Sequence, residues 1–372
     1  MKLMTETQVR KMESLRKELN DNPEPAGLEH KTAEIVSSRL NELKGWKVTT
    51  GVAGKGIIAT YGPAKAKECI LFRAELDALT TGNFGSALHL CGHDGHMAIL
   101  LGLADVISAK STGDKKVVLF FQPAEETGAG ALAMIEDKAF KKVAPDLVIA
   151  LHNLPGVKEN TILIKDGSFS SSVKSLVIRI TGTPAHAAEP EKGHNPIYLQ
   201  SEIIQLCRNL EVTDPYHKDY CLITPTYLKA GLPHAHGVSA GNGILHLTFR
   251  TREEKDMERV TSTFLNALNR LSILHKVETA YNPVEAFPAV NNSKAVVDRI
   301  RKTAKTHQLC ISEMILPFSW GEDFGHLTQR FPGAMFGLGA GIKVAPLHSD
   351  HYSFPDKIMG KGVELMYGIV SE

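Results

Sequence analysis

The chain has 372 residues, and at about 150 residues per domain it reads most naturally as two domains. Apolar residues make up 43% and charged residues 22%, which is ordinary for a globular protein and excludes a disordered one. Lys and Arg number 42 against 41 Asp and Glu, a net charge of +1, so nothing electrostatic points to nucleic acid or an anionic membrane as partner. No apolar run approaches the roughly 18 residues that cross a bilayer. The start, MKLMTETQVRKMESLRKEL, lacks the apolar centre of a secretory signal. Five Cys, at 69, 91, 207, 221 and 310, are odd in number and follow no framework spacing, which predicts reduced thiols and a cytoplasmic location.

In chain order, the spacing of apolar residues predicts amphipathic helices over 6–20 and 27–43, separated by the breaker cluster Asn22–Gly27. Strands are expected at 46–50, 56–61 and 69–73. An irregular stretch follows, Ala78–Cys91, and then a helix over 96–109. The continuous apolar runs 117–121 and 147–151 read as strands covered on both faces, with a helix over 127–137 between them. From residue 173 the texture changes to strict alternation, Leu176, Ile178 and Ile180 against Ser175, Val177 and Arg179. Helix 196–210, strands near 220–228 and 243–250, helix 253–272 and strand 275–281 complete a β-α-β-β-α-β series, the pattern of a ferredoxin-like unit. Helix 292–306, strand 334–338 and helix 356–370 return to the first texture. The expected architecture is α/β: a larger catalytic domain (1–172 and 283–372) with a mixed, mostly parallel sheet, and an inserted ferredoxin-like α+β domain (173–282).

Four segments carry chemistry. In His89-Leu90-Cys91-Gly92-His93-Asp94-Gly95-His96 a thiol and an imidazole stand one residue apart, a pairing that suits a borderline-soft cation such as Zn²⁺, Mn²⁺, Co²⁺ or Ni²⁺. A buried structural Cys in a His-rich loop would look the same, and so would a Cys91 nucleophile activated by His93 or His96. Glu125 and Glu126 lie between a buried strand and a helix, the rim where α/β sheets place their sites. One carboxylate could ligate a cation while the other stays free as a base, although acidic residues also favour helix N-termini. His152 leaves an apolar strand, and His348 lies in a loop before the last helix. Together a thiolate, a carboxylate and three imidazoles suffice for two divalent ions, which polarise a carbonyl and activate water, and a spare carboxylate can move the proton to a leaving nitrogen.

At these residues the chain resembles the amidohydrolase branch of the aminoacylase and carboxypeptidase G metallopeptidases, which includes hippurate hydrolase and the plant indole-acetyl-amino-acid hydrolases. The resemblance is carried by RAELDALT (73–80), HLCGHDGHMA (89–98), FQPAEETGAGA (121–131), ALHNLPG (150–156), GTPAHAAEPEKGHNP (182–196), GEDFG (321–325), PGAMFGLGAG (332–341) and HSDHYSFPD (348–356). It implies Cys91, His93, Glu126, His152 and His348 as metal ligands and Glu125 as general acid/base. It further implies that His186, on the inserted domain, steadies the oxyanion in a partner subunit, and that Arg250 binds a substrate carboxylate. A homodimer formed through the inserted domain, which acts as lid and dimer contact, follows from the same resemblance. The implied activity is removal of an N-acyl group, acetyl or aromatic, from an amino acid or related amine, with two divalent ions per subunit.

The sequence also departs from that pattern. Glu75 replaces the usual Asp and Thr80 the usual Pro, and Glu75 and Asp77 read as partners of the ligands rather than as ligands. Gly237-Val238-Ser239-Ala240 stands where the family commonly has Asn-Val-Ile-Pro, so an amide expected near a substrate carboxylate is missing, and His234 and His236 just upstream read as solvated. The competing readings are a metal-independent hydrolase using Cys91 and a non-catalytic relative that binds a small molecule.

Overall fold

The computed structural model describes residues 3–81, 86–110 and 112–372. In chain order its main elements are α1 (Glu6–Asn20), α2 (His30–Asn41), β1 (Lys47–Val52), β2 (Gly56–Tyr61), β3 (Glu68–Glu75), α3 (His93–Lys110), β4 (Lys115–Gln122), α4 (Gly130–Glu136), β5 (Leu147–Pro155) and β6 (Thr161–Ile164). There follow β7 (Ser172–Thr181), α5 (Pro196–Leu210), β8 (Cys221–Ala230), β9 (Asn242–Thr251), α6 (Glu254–His275) and β10 (Glu278–Phe287). The chain closes with α7 (Lys294–Thr306), β11 (Cys310–Glu313), β12 (Gly333–Gly341) and α8 (Met359–Ser371).

The chain divides into two compact units, one of 1–169, 290–315 and 323–372, the other of 170–289 and 316–322. Among the described residues of the first, eight strands form one sheet in the order β1-β2-β4-β3-β5-β12-β6-β11. The pairs β3–β4, β3–β5, β5–β12 and β6–β11 are parallel, whereas β1–β2, β2–β4 and β6–β12 are antiparallel. The central strands are buried on both faces, which is why β4 and β5 contain unbroken apolar runs, whereas β3 buries Arg73 and Glu75 beyond Phe72. Helix α1 opens with a capping box, Thr5 accepting from the Gln8 amide while Gln8 accepts from the Thr5 amide. Helix α3 packs against α1, α8 and β3. Its Met97, Ile99, Leu100, Leu101 and Leu103 are almost wholly buried, each contributing roughly 1.5–3 kcal/mol relative to exposure.

The second unit is a four-stranded antiparallel sheet in the order β8-β9-β7-β10, with α5 and α6 in the β-α-β-β-α-β succession. Leu176, Ile178 and Ile180 of β7 enter its core with Ile203, Leu247, Phe249 and Phe264, as their alternation requires. All five cysteines are free. Among the described residues no helix is long and apolar enough to cross a membrane.

Several local expectations are corrected. Helix α3 starts at His93 rather than 96, so His93 and His96 lie in its first turn. The helix expected over 127–137 is Gly130–Glu136, which leaves Glu125 and Glu126 in a turn ahead of it. That turn reverses through Ala124, whose φ of 53° is incompatible with helix. Strand β5 continues past Leu151, because His152 and Asn153, though polar, are buried and stay in the ladder opposite Gly337 and Leu338. The short strands Thr161–Ile164 and Cys310–Glu313 escaped the periodicity reading, being only 4 residues each. Within the irregular stretch, Leu79–Thr80 pair with Ala87–Leu88, and 82–85 lie outside the described residues.

Candidate metal centre

The site lies at the C-terminal ends of β3, β4 and β5, where Glu75 and Gln122 sit side by side in the ladder, and the segments after β3 and β4 and the end of β5 itself deliver side chains to it. Cys91 reaches it from the turn before α3, which Gly92 makes possible with a φ of 90°. A Cβ on Gly92 would stand 2.3 Å from Nδ2 of Asn153 and 2.6 Å from the Tyr352 hydroxyl. His93 follows on the first turn of α3, Glu125 and Glu126 come from the turn after β4, His152 from β5, and His348 from the loop before α8.

These six side chains come together. Cys91 Sγ is 3.5 Å from His152 Nε2, and His93 Nε2 lies 3.9 Å from a Glu125 oxygen and 4.0 Å from Glu126 Oε1. His348 Nε2 is 4.0 Å from the same Glu126 oxygen. Three overlapping sets, Cys91–His93–His152, Cys91–Glu126–His348 and His93–Glu125–Glu126, each hold their donor atoms within 4.8 Å of one another. Glu126 belongs to two of the three. Cys91, His93, His152 and Glu125 are buried, and His348 is half-exposed.

The chemistry of these donors fits divalent cations. The Nδ1 of His93 donates to the Asp77 carbonyl at 2.8 Å, and the Nδ1 of His152 donates to the Asn153 carbonyl at 2.9 Å. Nδ1 is thereby occupied in both rings, and Nε2 is the nitrogen left facing the cluster. Burial pulls His93 down, but the neighbouring Cys91, Glu75 and Asp77 outweigh it and hold that imidazole well above its usual range, so a cation would take the place of its Nε2 proton. His93 Nε2 is buried without a hydrogen-bond partner, an arrangement that costs free energy unless something else satisfies it. Burial pulls His152 down to about 3, so its ring stays neutral, as a ligand must be. Burial likewise pushes the Cys91 thiol up to about 12. A thiol so placed is a poor nucleophile by itself and becomes a thiolate only beside a cation.

Asn153 holds this arrangement together, and the sequence reading passed over it. Its Nδ2 donates to the Cys91 carbonyl at 2.8 Å, its Oδ1 accepts from the Tyr352 hydroxyl at 2.8 Å, and its backbone N–H meets His96 Nε2 at 3.2 Å. Behind it, His96 Nδ1 contacts Glu75 at 2.8 Å. Burial pushes Glu75 up, but the Arg73 guanidinium and the His96 and His93 rings outweigh this and hold it well below the usual carboxylate range. The only trace in the sequence is that polar His152-Asn153 continue an apolar strand.

A family model, peptidase family M20/M25/M40, matches residues 71–372. The chain belongs to that family. It is 29% identical to the N-acetyldiaminopimelate deacetylase of Bacillus velezensis, with 96% of this chain and 97% of the relative covered. To the hippurate hydrolase of Campylobacter jejuni it is 26% identical, covering 94% and 93%. Among solved structures, the YXEP protein of Bacillus subtilis, described as a dinuclear metal-binding peptidase of family M20, superposes with a TM-score of 0.82 at 20% identity over 99% of this chain and 98% of that one. At that identity the likeness establishes the shared fold.

The remaining two residues singled out in this M20/M25/M40 chain, His186 and Arg250, belong to the second unit. His186 is exposed, accepts from the Ala188 amide at 3.1 Å, and pairs with Val238 in an isolated antiparallel bridge. The Ala187 and Ser239 amides donate across the same junction to the Gly237 and Ala185 carbonyls at 2.9 and 2.8 Å. The divergent stretch Gly237–Ala240 is thus the backbone neighbour of His186, a proximity concealed by the 52 positions between His186 and Val238. Arg250, on β9, donates to the Ser319 carbonyl at 2.8 Å. His234 and His236 are exposed.

Proposed function

We propose that this protein is a metal-dependent amidohydrolase that removes an acyl group, acetyl or aromatic, from the nitrogen of an amino acid or related amine. The observation that carries this reading is the convergence of one thiol, three imidazoles and two adjacent carboxylates from four separate segments. Cys91, His93, Glu126, His152 and His348 would hold two divalent ions, of Zn, Mn, Co or Ni, and the donor set that Glu126 shares with Cys91 and His348, which Glu125 does not join, supports Glu126 as the ligand. When bound, the ions polarise the scissile carbonyl and lower the pKa of the attacking water.

Glu125, beside this cluster and buried, takes the proton from that water at its carboxylate and returns it to the nitrogen that leaves. The names of the relatives, a deacetylase of N-acetyldiaminopimelate and a hydrolase of hippurate, agree with amide cleavage next to an amino-acid skeleton. His186 is assigned to the oxyanion and Arg250 to a substrate carboxylate, in a cytoplasmic homodimer built through the second unit. The high pKa of the Cys91 thiol opposes the metal-independent alternative.

The test is hydrolysis of N-acetyl and N-aroyl amino acids, each beside its carboxyl-blocked counterpart, by protein stripped and reloaded with each of the four metals. Turnover should vanish on chelation and return on reloading. Undiminished turnover in the stripped protein would reject the proposal. Loss of activity toward the blocked substrates would assign a carboxylate-binding role despite the changed 237–240 stretch.

A further inference from the structure

Glu29 has a surrounding that its local position does not explain. It occupies the N-cap of α2, yet its side chain makes no bond to the amides of that helix. The residue is 0% exposed, and a carboxylate is not buried without a compensating set of donors. Its Oε1 accepts from the Gly27 amide at 2.8 Å and from the Ala124 amide, also at 2.8 Å. The second of these bonds reaches across 95 residues.

Ala124 is the residue before Glu125 and has a φ of 53°, a left-handed conformation that Cβ resists. The next amide but one, that of Glu126, donates to Asp77 Oδ2 at 2.9 Å. The backbone on both sides of Glu125 is therefore held by carboxylates from outside the turn. Inside it, the Gly128 amide donates to the Glu125 carbonyl at 2.7 Å. At its far end a Cβ on Gly130 would lie 1.6 Å from the Pro123 carbonyl oxygen. The support under Glu29 is firm as well. The Ala78 amide donates to the Glu24 carbonyl at 2.8 Å, and Glu24 accepts from the Thr32 amide at 2.9 Å.

We propose that Glu29 is a positioning residue: as a hydrogen-bond acceptor for the Ala124 amide it holds the turn left-handed and so fixes where the Glu125 carboxylate stands. This rests on the reading of Glu125 as the acid/base. Glu29 acts through an acceptor oxygen, so Glu29→Gln, which keeps one, should substitute for it, whereas Glu29→Ala should not. A misplaced base affects the chemical step more than binding, because a displacement of about 1 Å can cost on the order of a hundredfold in rate.

The experiment compares wild type, Glu29→Gln and Glu29→Ala as metal-loaded full-length proteins, measuring kcat, KM and metal content, together with amide hydrogen exchange in the 121–129 segment. For Glu29→Ala we expect kcat to fall by about tenfold or more with KM changed by less than about threefold, metal bound, and exchange at Ala124 faster by about tenfold or more. Glu29→Gln should stay near wild type in every readout. Equal loss in the Gln and Ala variants, or an Ala variant with wild-type kcat and exchange, overturns the proposal. If Glu29→Ala does not fold, Glu29→Gln still decides, since a tenfold loss in it is incompatible with an acceptor role. A wild-type protein that cleaves no N-acyl amide would defeat the assigned activity, and the exchange comparison would then judge Glu29 by itself.

Discussion

The hydroxyl of Tyr352 donates a 2.8 Å hydrogen bond to Oδ1 of Asn153, and through it the loop that follows His348 is joined to the strand that carries His152. Burial keeps the Tyr352 phenol well above its usual range, so it remains a donor. The same amide side chain grips the Cys91 carbonyl, and one residue thereby registers three of the segments that supply donors. Asn153→Ala should lower divalent-cation affinity by about 10–100-fold, measured by calorimetric titration of Co²⁺ or Zn²⁺ into stripped protein. Tyr352→Phe should weaken it in the same direction by less. Unchanged affinity in both variants would show that the amide is only a packing element.

The two adjacent carboxylates should separate cleanly. Glu125→Gln is expected to lower kcat by about 10²–10⁴-fold while retaining its metal, measured by elemental analysis beside steady-state kinetics. Glu126→Gln should lose metal first and activity with it. The reverse pattern would exchange their roles.

Arg73 lies wholly buried among Glu75, Gln122 and Asp323. Its removal takes the cation from two buried carboxylates, so Arg73→Ala should destabilise the first unit by about 3–5 kcal/mol, read from the urea midpoint at constant m. A cost below about 1 kcal/mol would mean that water enters and solvates the acids.

Thiol reactivity should follow burial. Burial pushes the thiols of Cys69, Cys207 and Cys221 up to about 11, 12 and 11, whereas Cys310 is exposed. Iodoacetamide near neutral pH should label Cys310 first, with the buried thiols slower by about tenfold or more, followed by mass spectrometry of the native protein. Early labelling at Cys207 or Cys221 would indicate opening of the second unit.

The sequence by itself determined the types of the longer elements, the mixed α/β character of the larger sheet and the clusters from which the donors come. Each of these is written in short-range pattern: the unbroken apolar runs of β4 and β5, the alternation of β7, and the density of His around Cys91. It did not determine the turn at Ala124, the continuation of β5 through His152-Asn153, or the bonds from Glu29 to Ala124 and from Tyr352 to Asn153. Those contacts join residues 95 and 199 positions apart. Their energies depend on which loops the completed sheet brings to one edge, and no local periodicity records that placement.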